Sequence, residues 1–444
     1  MNSARPKVLQ TAGGLPLLHY VLDTCAELFA PTTVVVGHGA EAVREAFGHR
    51  SGLRFALQQP QNGTGHAVQV ALQQAPLIPG VPIMVLPGDA PLLRPETLRR
   101  LARLREERGA AVALLSFRAP DPSSYGRVLR GAEGSVLRIV ESKDASDAER
   151  LVTEVNASVY VFDAGQLAAT IHRLRPDNAQ AEFYLTDVVG LLAASGERVE
   201  ALVLDDPSEA SGVNTPAELS DVERALYSRR AMVLVSAGVV MERPDTILVG
   251  PFATVRPGAR IRAFTILEGR SVVEGGASIG PFCRIEDSTV GADASILDSC
   301  LVRQSQIGAG ASVGPFAHVR PASVVGEKAK IGNFVELKKT TLGPGAKAPH
   351  LSYLGDATVG AGANIGAGTI TCNYDGSIKS PTTIGAGAFV GSNSILVAPV
   401  TIGQGAYIAA GSVITEDVPE GALGVARSRQ ENKAGWASRR AKKP

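Results

Sequence analysis

The sequence is poor in the features that mark secreted, membrane and nucleic-acid-binding proteins. Its 444 residues include only four cysteines, which show no CxxC spacing and therefore argue against a disulfide framework or a zinc site. No stretch reaches the ~18 consecutive apolar residues of a membrane span, and the N-terminus has no apolar signal core. The formal net charge of +1 provides no global attraction to nucleic acid. We therefore expect a cytoplasmic protein that binds neither membranes nor nucleic acids.

Aromatic residues are also scarce, at 5%, whereas glycine is abundant, with 48 residues. From residue 249 onward, aliphatic side chains recur every six residues, and many are followed by glycine. Such a hexapeptide period is typical of a parallel β-helix, in which each short strand turns one aliphatic side chain inward and the stacked coils bury a continuous column. The positions that keep the period are Val249, Val255, Ile261, Leu267, Val273, Ile279 and Ile285, and then Ile307, Val313, Val319, Val325, Ile331 and Leu337.

The first half of the chain follows a different rule. Short apolar runs at 33–36, 83–86, 111–115 and 201–204 suit strands that are buried on both faces of a parallel sheet, and helical stretches such as 97–104 lie between them. This alternation predicts an α/β domain. We place that domain at 1–215, a linking helix at 216–235, the β-helix at 236–418 and a basic tail at 419–444.

Six motifs in the first half carry residues suited to phosphate, metal and sugar binding. They are Pro6-Lys7-Val8-Leu9, Gln58 with Gly63-Thr64-Gly65-His66-Ala67, Pro87-Gly88-Asp89-Ala90-Pro91-Leu92, Tyr125-Gly126-Arg127, Glu141 with Asn156, and Gly212-Val213-Asn214-Thr215. Asp89 follows a buried strand, where open α/β sheets bind ligands. Taken singly, Asp89 and Asn214 are equally well explained as helix caps, and Glu141 as a surface carboxylate. It is the ordered set that indicates a function.

The hexapeptide period breaks twice, at 343–358 and at 371–383, and in a solenoid such insertions are expected to form outside loops at the binding face. The first break contains Ala348-Pro349-His350-Leu351-Ser352-Tyr353-Leu354-Gly355-Asp356, and the second contains Thr371-Cys372-Asn373-Tyr374-Asp375-Gly376. A lone loop histidine is usually just solvated. An imidazole nevertheless titrates near neutral pH and suits a general base, so the residues around His350 decide between the two interpretations.

In sequence order, these motifs resemble, over nearly the whole chain, the bacterial bifunctional enzymes that make UDP-N-acetylglucosamine. The resemblance implies a Rossmann-like α/β nucleotidyltransferase domain followed by a left-handed parallel β-helix with acetyltransferase activity. The implied reactions are acetyl transfer from acetyl-CoA to glucosamine 1-phosphate, then uridylyl transfer from UTP to N-acetylglucosamine 1-phosphate with release of pyrophosphate. Mg²⁺ is the implied metal, the substrates are small molecules, and a homotrimer is the implied assembly.

The same resemblance implies roles for individual residues. His350 is the expected catalytic base, and Asp89 and Asn214 are the expected Mg²⁺ ligands. The residues expected to bind UTP and the sugar nucleotide are Lys7, Gln58, Gly63, Thr64, Gly126, Glu141, Asn156 and Asn214. Those expected to bind glucosamine 1-phosphate are Arg320, Lys338, Tyr353, Asn364 and Lys379, with Glu336 orienting a neighbour. Those expected to bind acetyl-CoA are Ala367, Asn373, Tyr374, Ser392, Ala410 and Arg427.

One element of the family is not found before Lys7. Family members carry an apolar strand and a Gly-rich loop, Leu-Ala-Ala-Gly-x-Gly-Thr-Arg-Met, whose backbone N–H groups cradle the nucleotide phosphates. Met1 lies about where the last residue of that motif would lie, so we hypothesise that the chain starts at an internal methionine. Two alternatives stay open. One is acetyltransferase activity alone, with an inactive nucleotidyltransferase domain, and the other is a sugar nucleotidyltransferase of other specificity with a structural β-helix.

Overall fold

The computed structural model describes residues 5–28, 32–75, 77–78, 80–119 and 121–440, so the hypothesis about Met1 lies outside the described residues. The chain divides into two compact units, Met1–Leu226 and Tyr227–Pro444. The boundary falls inside one helix, Pro216–Ser236. None of the described helices combines the length and the apolar character that a membrane crossing requires.

Helices and strands alternate through the first unit. The helices are α1 (Leu17–Ala26), α2 (Ala40–Phe47), α3 (Thr64–Gln74), α4 (Pro95–Arg108), α5 (Asp147–Arg150), α6 (Ala164–Ile171), α7 (Thr186–Ala194) and α8 (Pro216–Ser236), with 3₁₀ turns at Lys7–Leu9 and Pro207–Ala210. The strands are β1 (Thr11–Ala12), β2 (Leu15–Pro16), β3 (Thr32–Val36), β4 (Leu53–Leu57), β5 (Ile83–Val85), β6 (Val112–Arg118), β7 (Arg127–Arg130), β8 (Val136–Val140), β9 (Glu154–Phe162) and β10 (Val199–Val203).

The main sheet of the first unit is mixed. Its strands lie in the order β10-β6-β9-β7-β8, and β5 also pairs with β9. Strands β6 and β10 are parallel, as are β3 and β4 in a separate pair. Strand β9, however, runs antiparallel to β5, β6 and β7. The prediction of a parallel sheet is therefore wrong at β9, where Asn156 and Ser158 interrupt the continuous apolar run by which such strands are recognised.

The apolar run of strand β6 is continuous because the strand is buried on both faces of the sheet. Leu114 packs in one core with Leu167 from α6 and Val188 from α7, whereas the next residue, Leu115, packs in a second core with Leu98 from α4. Successive side chains of a strand point to opposite faces of the sheet. Because helices cover both faces, successive positions from Val112 to Leu115 are all apolar. The Rossmann-like α/β class predicted for this unit is confirmed.

The second unit is a left-handed parallel β-helix, as predicted. Each of its short strands pairs in parallel with the strand one coil later, so that Ile261 lies beside Ile279 and Ile279 beside Ile296. The inward side chains form the predicted aliphatic column. Six members of one such column are fully buried, namely Leu267, Ile285, Val302, Val319, Leu337 and Leu354.

The strands of the β-helix form three parallel sheets. The first contains Val240–Met241, Arg260–Ile261, Ser278–Ile279, Ser295–Ile296, Ser312–Val313, Lys330–Asn333, Lys347–His350, Asn364–Ile365, Phe389–Val390, Tyr407–Ile408 and Leu423–Gly424. The second contains Leu248–Val249, Ile266–Glu268, Arg284–Glu286, Leu301–Arg303, His318–Val319, Glu336–Lys338, Tyr353–Gly355, Ile370–Cys372, Ile395–Val397 and Val413–Ile414. The third contains Thr254–Val255, Val272–Val273, Thr289–Val290, Gln306–Ile307, Val324–Val325, Thr341–Leu342, Ala357–Val359, Thr382–Ile384 and Val400–Ile402. A 3₁₀ turn, Pro244–Thr246, and the helix α9 (Trp436–Arg440) complete the unit.

The first break in the hexapeptide period is not an outside loop. Its residues form three strands that stack in register on the preceding coil. The expectation of a loop is wrong here because Ala348 takes the inward position, where it is fully buried, and its small side chain conceals the aliphatic period. The second break does form a loop, which leaves the coil after Cys372 and is closed by a bridge between Tyr374 and Lys379.

The close approach of neighbouring coils predicts a stability effect at Gly326. A Cβ there would lie 2.7 Å from the backbone carbon of Gly343 and 2.7 Å from the nitrogen of Pro344. Since the backbone of the next coil must then move, we expect Gly326→Ala to lower the thermal unfolding midpoint by about 3–10 °C. Scanning calorimetry at fixed protein concentration measures the change.

A matched control is Gly345→Asn. Gly345 has open space around it and a φ of +65°, a conformation that asparagine tolerates. We expect a change of less than about 2 °C there. Equal midpoints for the two variants would contradict the steric explanation.

Candidate active sites

In the first unit, one carboxylate oxygen and one amide oxygen contact the same ammonium group. The Lys7 ammonium forms an ion pair with the Asp89 carboxylate and donates a hydrogen bond of 2.6 Å to Oδ1 of Asn214. Asp89 follows β5, and Asn214 precedes α8, where its backbone N–H donates to the Glu218 carboxylate at 2.6 Å. Three of the residues predicted from sequence are thus brought together. Glu218, which the sequence reasoning missed, holds the loop that carries Asn214.

The start of α3 forms a tight loop around Gln58. The Gln58 side chain is buried, and its Nε2 donates to the carbonyl of Gly63 at 2.9 Å. Gly63 has a φ of +97°, and a Cβ there would lie 2.7 Å from the carbonyl oxygen of Phe183, so only glycine fits. The Thr64 hydroxyl accepts from the N–H of Leu185 at 3.0 Å. This loop therefore combines the fixed amide of Gln58 with backbone at Gly63 that no side chain of its own covers.

Gly126, Glu141 and Asn156 form a third group. The N–H of Asn156 donates to the carbonyl of Gly126 at 2.8 Å, and a Cβ on Gly126 would lie 3.4 Å from a Glu141 carboxylate oxygen. Burial raises the pKa of Glu141, while a hydrogen bond from the Thr186 hydroxyl, at 3.0 Å, opposes the shift. A half-desolvated carboxylate beside a glycine, which has no side chain to block it, is suited to binding a hydroxyl or amide group of a ligand.

In the β-helix, Arg320 and Lys338 lie on neighbouring coils, and a third cation, Lys379, lies on the loop of the second period break. Arg320 pairs with Glu336 at 2.7 Å, so Arg320 is the neighbouring side chain that Glu336 contacts. The ammonium groups of Lys338 and Lys379 are within hydrogen-bonding reach of each other, and this contact lowers the pKa of Lys338. Two adjacent ammonium groups repel unless an anion lies between them, so the arrangement is suited to phosphate.

A second polar cluster surrounds Gly355. A Cβ there would lie 2.5 Å from the Tyr353 hydroxyl and 2.9 Å from Nδ2 of Asn373, so glycine allows both side chains to approach the coil. Asn373 donates a hydrogen bond to the Asp356 carboxylate, and Asp356 lies 17 residues earlier, on the preceding coil. Asn364 is half-buried in the first sheet, where it pairs with Lys347 and Phe389. Asp356 has an orienting role that sequence reasoning did not assign.

His350 ends the strand Lys347–His350 and is exposed. Its Nδ1 lies 2.7 Å from Oδ1 of Asn333, which occupies the equivalent position on the preceding coil. Sequence reasoning missed Asn333. Asn333 can be identified because it lies 17 residues before His350, at the paired position one coil earlier. That step becomes known only when the register of the coils is known.

The remaining predicted residues follow the turns of successive coils. The N–H of Asn393 donates to the carbonyl of Ala367 at 2.7 Å, and the N–H of Gly411 donates to that of Ser392 at 2.8 Å, which places Ala367, Ser392 and Ala410 in one column. Arg427 is exposed, and its Cδ would lie 3.9 Å from a Cβ on Gly411. Tyr374 is exposed on the loop of the second period break, where its hydroxyl donates to the carbonyl of Gly376 at 2.6 Å. Most of these residues therefore follow successive turns of the β-helix, and Arg427 adds a positive charge beside Gly411.

Comparison with known proteins agrees with this two-part architecture. Residues 1–158 match the MobA-like NTP transferase domain, residues 245–347 match the GMPPB C-terminal domain, and residues 381–416 match the bacterial transferase hexapeptide, with six repeats. The chain is 46% identical to the bifunctional protein GlmU of Anaeromyxobacter sp. (strain Fw109-5) over 450 residues, covering 99% of this chain and 90% of that protein. It is 45% identical to that of Heliobacterium modesticaldum, covering 100% and 96%, and 44% identical to that of Streptomyces avermitilis, covering 99% and 92%.

The contact between Lys338 and Lys379 predicts a measurable titration change. Because the Lys379 ammonium lowers the pKa of Lys338, Lys379→Met is expected to raise that pKa towards its ordinary value, and saturating inorganic phosphate is expected to raise it in the unsubstituted protein. NMR titration of protein with ¹³C-methylated lysines measures both shifts. Lys330→Met, on the exposed strand Lys330–Asn333, is the control and should leave the pKa of Lys338 unchanged. An unaltered pKa in Lys379→Met would contradict the proximity of the two ammonium groups.

Proposed function

The chain belongs to the family of bifunctional GlmU proteins, and we propose that it makes UDP-N-acetylglucosamine by acetylating glucosamine 1-phosphate and then uridylylating the product. The observation that carries this proposal is similarity over the full length of both units, at 46% and 45% identity to the first two relatives above. The side chains grouped in each unit support it. We also propose the domain boundaries at 215, 235 and 418, and a cytoplasmic location.

In the acetyl transfer, His350 acts as the general base. It takes a proton from the amine of glucosamine 1-phosphate while the nitrogen attacks the thioester carbonyl of acetyl-CoA. A C–N bond forms, the C–S bond breaks, and the leaving thiolate of coenzyme A takes up the proton that His350 accepted. Asn373, held by Asp356, donates a hydrogen bond to the oxyanion that develops between these steps.

The cations Arg320, Lys338 and Lys379 hold the phosphate of glucosamine 1-phosphate, and Tyr353 and Asn364 contact its sugar. Their support is the juxtaposition of like charges described above, which a bound phosphate relieves. Acetyl-CoA contacts Ala367, Tyr374, Ser392, Ala410 and Arg427. The small side chains allow an extended cofactor to lie against the coils, and Arg427 provides charge for its phosphates.

In the uridylyl transfer, a phosphate oxygen of N-acetylglucosamine 1-phosphate attacks the α-phosphorus of UTP, and pyrophosphate leaves. The protein aligns the two phosphates and offsets their charge, a role for Lys7. Gln58, Gly63 and Thr64 hold the uracil, since their loop combines a fixed amide with open backbone. Gly126, Glu141 and Asn156 hold the sugar and its N-acetyl group.

The residues at Lys7 fit a divalent cation. A carboxylate oxygen from Asp89 and an amide oxygen from Asn214 both contact the Lys7 ammonium, so the two ligands already share a position suited to positive charge. Mg²⁺ prefers oxygen ligands and few of them from protein, the rest being water and substrate phosphate. Asp89 and Asn214 would hold Mg²⁺, which when bound neutralises charge on the triphosphate.

We further propose that three chains associate. Phe264, Phe282, Phe316 and Phe334 form an aromatic edge along the β-helix, in two stacked pairs whose ring centroids are 5.0 and 5.5 Å apart. All four are at least 47% exposed, and Leu351, the residue after His350, is 60% exposed in the same backbone conformation. A row of apolar side chains of this kind marks an interaction surface. Its occupant is a second copy of the chain, because the edge continues to His350, where the family resemblance implies that a neighbouring chain completes the site.

Reciprocal variants test the two activities on one protein. One assay follows thiol release from acetyl-CoA with glucosamine 1-phosphate, and the other follows pyrophosphate release from UTP with N-acetylglucosamine 1-phosphate and Mg²⁺. We expect His350→Ala to reduce thiol release about 10²–10⁴-fold, because the general base is lost, without changing pyrophosphate release. Asp89→Asn should reduce pyrophosphate release at least about 10²-fold without changing thiol release.

Each variant is the folding control for the other. Thiol release without pyrophosphate release in the unsubstituted chain would favour the alternative of acetyltransferase activity alone. Pyrophosphate release without thiol release would favour a nucleotidyltransferase with a structural β-helix. Loss of both activities in either single variant would contradict the assignment of His350 and Asp89 to separate sites.

The aromatic edge predicts how the assembly responds to substitution. Light scattering should give a mass about three times the 46.1 kDa of one chain, and the double variant Phe316→Ser/Phe334→Ser should give a lower mass, since it removes stacked apolar surface from the contact. The pair Phe389 and Tyr407, also stacked at 5.4 Å and exposed, lies away from this edge, and Phe389→Ser with Tyr407→Ser is the matched control. A monomeric unsubstituted chain would contradict the trimer, and an unchanged mass in the double variant would contradict the role of the edge.

A further inference from the structure

His350 has a hydrogen-bond partner, Asn333, on the preceding coil. The strands Lys330–Asn333 and Lys347–His350 are parallel neighbours, and Asn333 pairs directly with His350 in their register. Equivalent positions on adjacent parallel strands direct their side chains the same way. Oδ1 of Asn333 therefore reaches Nδ1 of His350 at 2.7 Å, a normal hydrogen-bond length.

The chemistry of the two groups determines which nitrogen carries the proton. A neutral imidazole has one N–H and one lone pair, and an amide oxygen only accepts hydrogen bonds. The contact therefore requires the N–H to be on Nδ1, which leaves the lone pair on Nε2. We propose that Asn333 is a positioning residue that fixes His350 in the tautomer whose Nε2 takes the proton from the substrate amine. This inference rests on the proposed acetyltransferase function.

Within the described residues, no side chain other than Asn333 forms a hydrogen bond with the His350 ring. Glu336, the nearest candidate by position on its coil, is engaged with Arg320 at 2.7 Å. An amide orients the ring without adding a negative charge. A carboxylate at the same place would orient the ring in the same way and would also raise the pKa of the imidazole.

Three variants of the full-length chain test the role of Asn333. Asn333→Leu keeps a similar volume but cannot accept a hydrogen bond, and its kcat for thiol release is expected to fall about 10²-fold, with the KM for each substrate changed less than about twofold. Asn333→Asp restores the acceptor and should recover kcat to within about tenfold of the unsubstituted protein. Lys330→Ala, on the same strand and exposed, is the control and should leave kcat unchanged.

The tautomer itself provides a readout that a structural role would not move. ¹⁵N spectra of protein labelled at its histidine rings show which nitrogen is protonated, and the His350 signals are identified by their loss in His350→Ala. We expect Nδ1–H in the unsubstituted chain and in Asn333→Asp, and a shift towards Nε2–H in Asn333→Leu. This measurement needs no activity, so it tests the inference even if the proposed function fails, and it does not depend on Asn333→Leu folding.

Three results would overturn the inference. One is an Nε2–H tautomer in the unsubstituted chain. Another is an unchanged kcat in Asn333→Leu beside an active unsubstituted enzyme. The third is a raised KM with unchanged kcat, which would make Asn333 a substrate contact. Absence of thiol release from the unsubstituted chain would instead contradict the proposed acetyltransferase function.

Discussion

The second unit depends on one constraint, the in-register stacking of parallel coils. Each coil donates its backbone N–H groups to the carbonyls of the next, as from Gly308 to Val325 and from Gly326 to Leu342, both at 2.7 Å. Such spacing leaves no room for a side chain at glycines such as Gly308 and Gly326, where a Cβ would lie 2.7 Å from the backbone of the next coil. The same constraint places each outward side chain directly beside its counterpart one coil away. The geometry of the candidate acetyltransferase site follows from that arrangement.

Three contacts in this site join residues on adjacent coils: Arg320 with Glu336, Asn333 with His350, and Asp356 with Asn373. In each, one side chain belongs to the group predicted to bind substrate or react, and the other holds it. A solenoid built from repeated strands is rigid along this direction, because each coil contacts only its neighbours and is hydrogen-bonded to both. Arg320 and His350 are therefore held on or beside stacked strands, whereas Asn373, Tyr374 and Lys379 lie on the loop that follows Cys372.

The candidate sites of the two units have opposite charge arrangements. In the first, Asp89 and Asn214 surround a cation that belongs to the chain, so the site presents oxygen donors to positive charge. In the second, Lys338 and Lys379 adjoin each other and present two positive charges to an anion. A metal-assisted phosphate reaction requires the first arrangement, and recognition of a sugar phosphate by the protein alone requires the second.

The amino-acid sequence predicts the fold where one side-chain property repeats and fails where register or pairing matters. Inward positions of a β-helix demand aliphatic residues, so the column from Leu267 to Leu354 is visible as a period, whereas Ala348 satisfies the same demand without displaying it. Strand β9 is missed because polar Asn156 and Ser158 lie within it. The motif residues are found by resemblance, and their roles remain proposals. Asn333 and the orienting role of Asp356 are not found, since a contact across 17 residues has no local signature.

Asn373 is oriented by a carboxylate and His350 by an amide. This difference follows from the proposed roles of the two side chains as hydrogen-bond donor and base. Asn373 donates one N–H to the Asp356 carboxylate, which can only accept, and this contact fixes the orientation of the amide and leaves its second N–H for another acceptor. A donor is what a developing oxyanion requires. His350 is held by the Asn333 amide oxygen, which fixes the ring without a charge. If the two partners were exchanged, the carboxylate would favour a protonated His350, and the amide could bind Asn373 in either orientation. The placement of the one charged and the one neutral partner is therefore the arrangement that gives a base beside a donor.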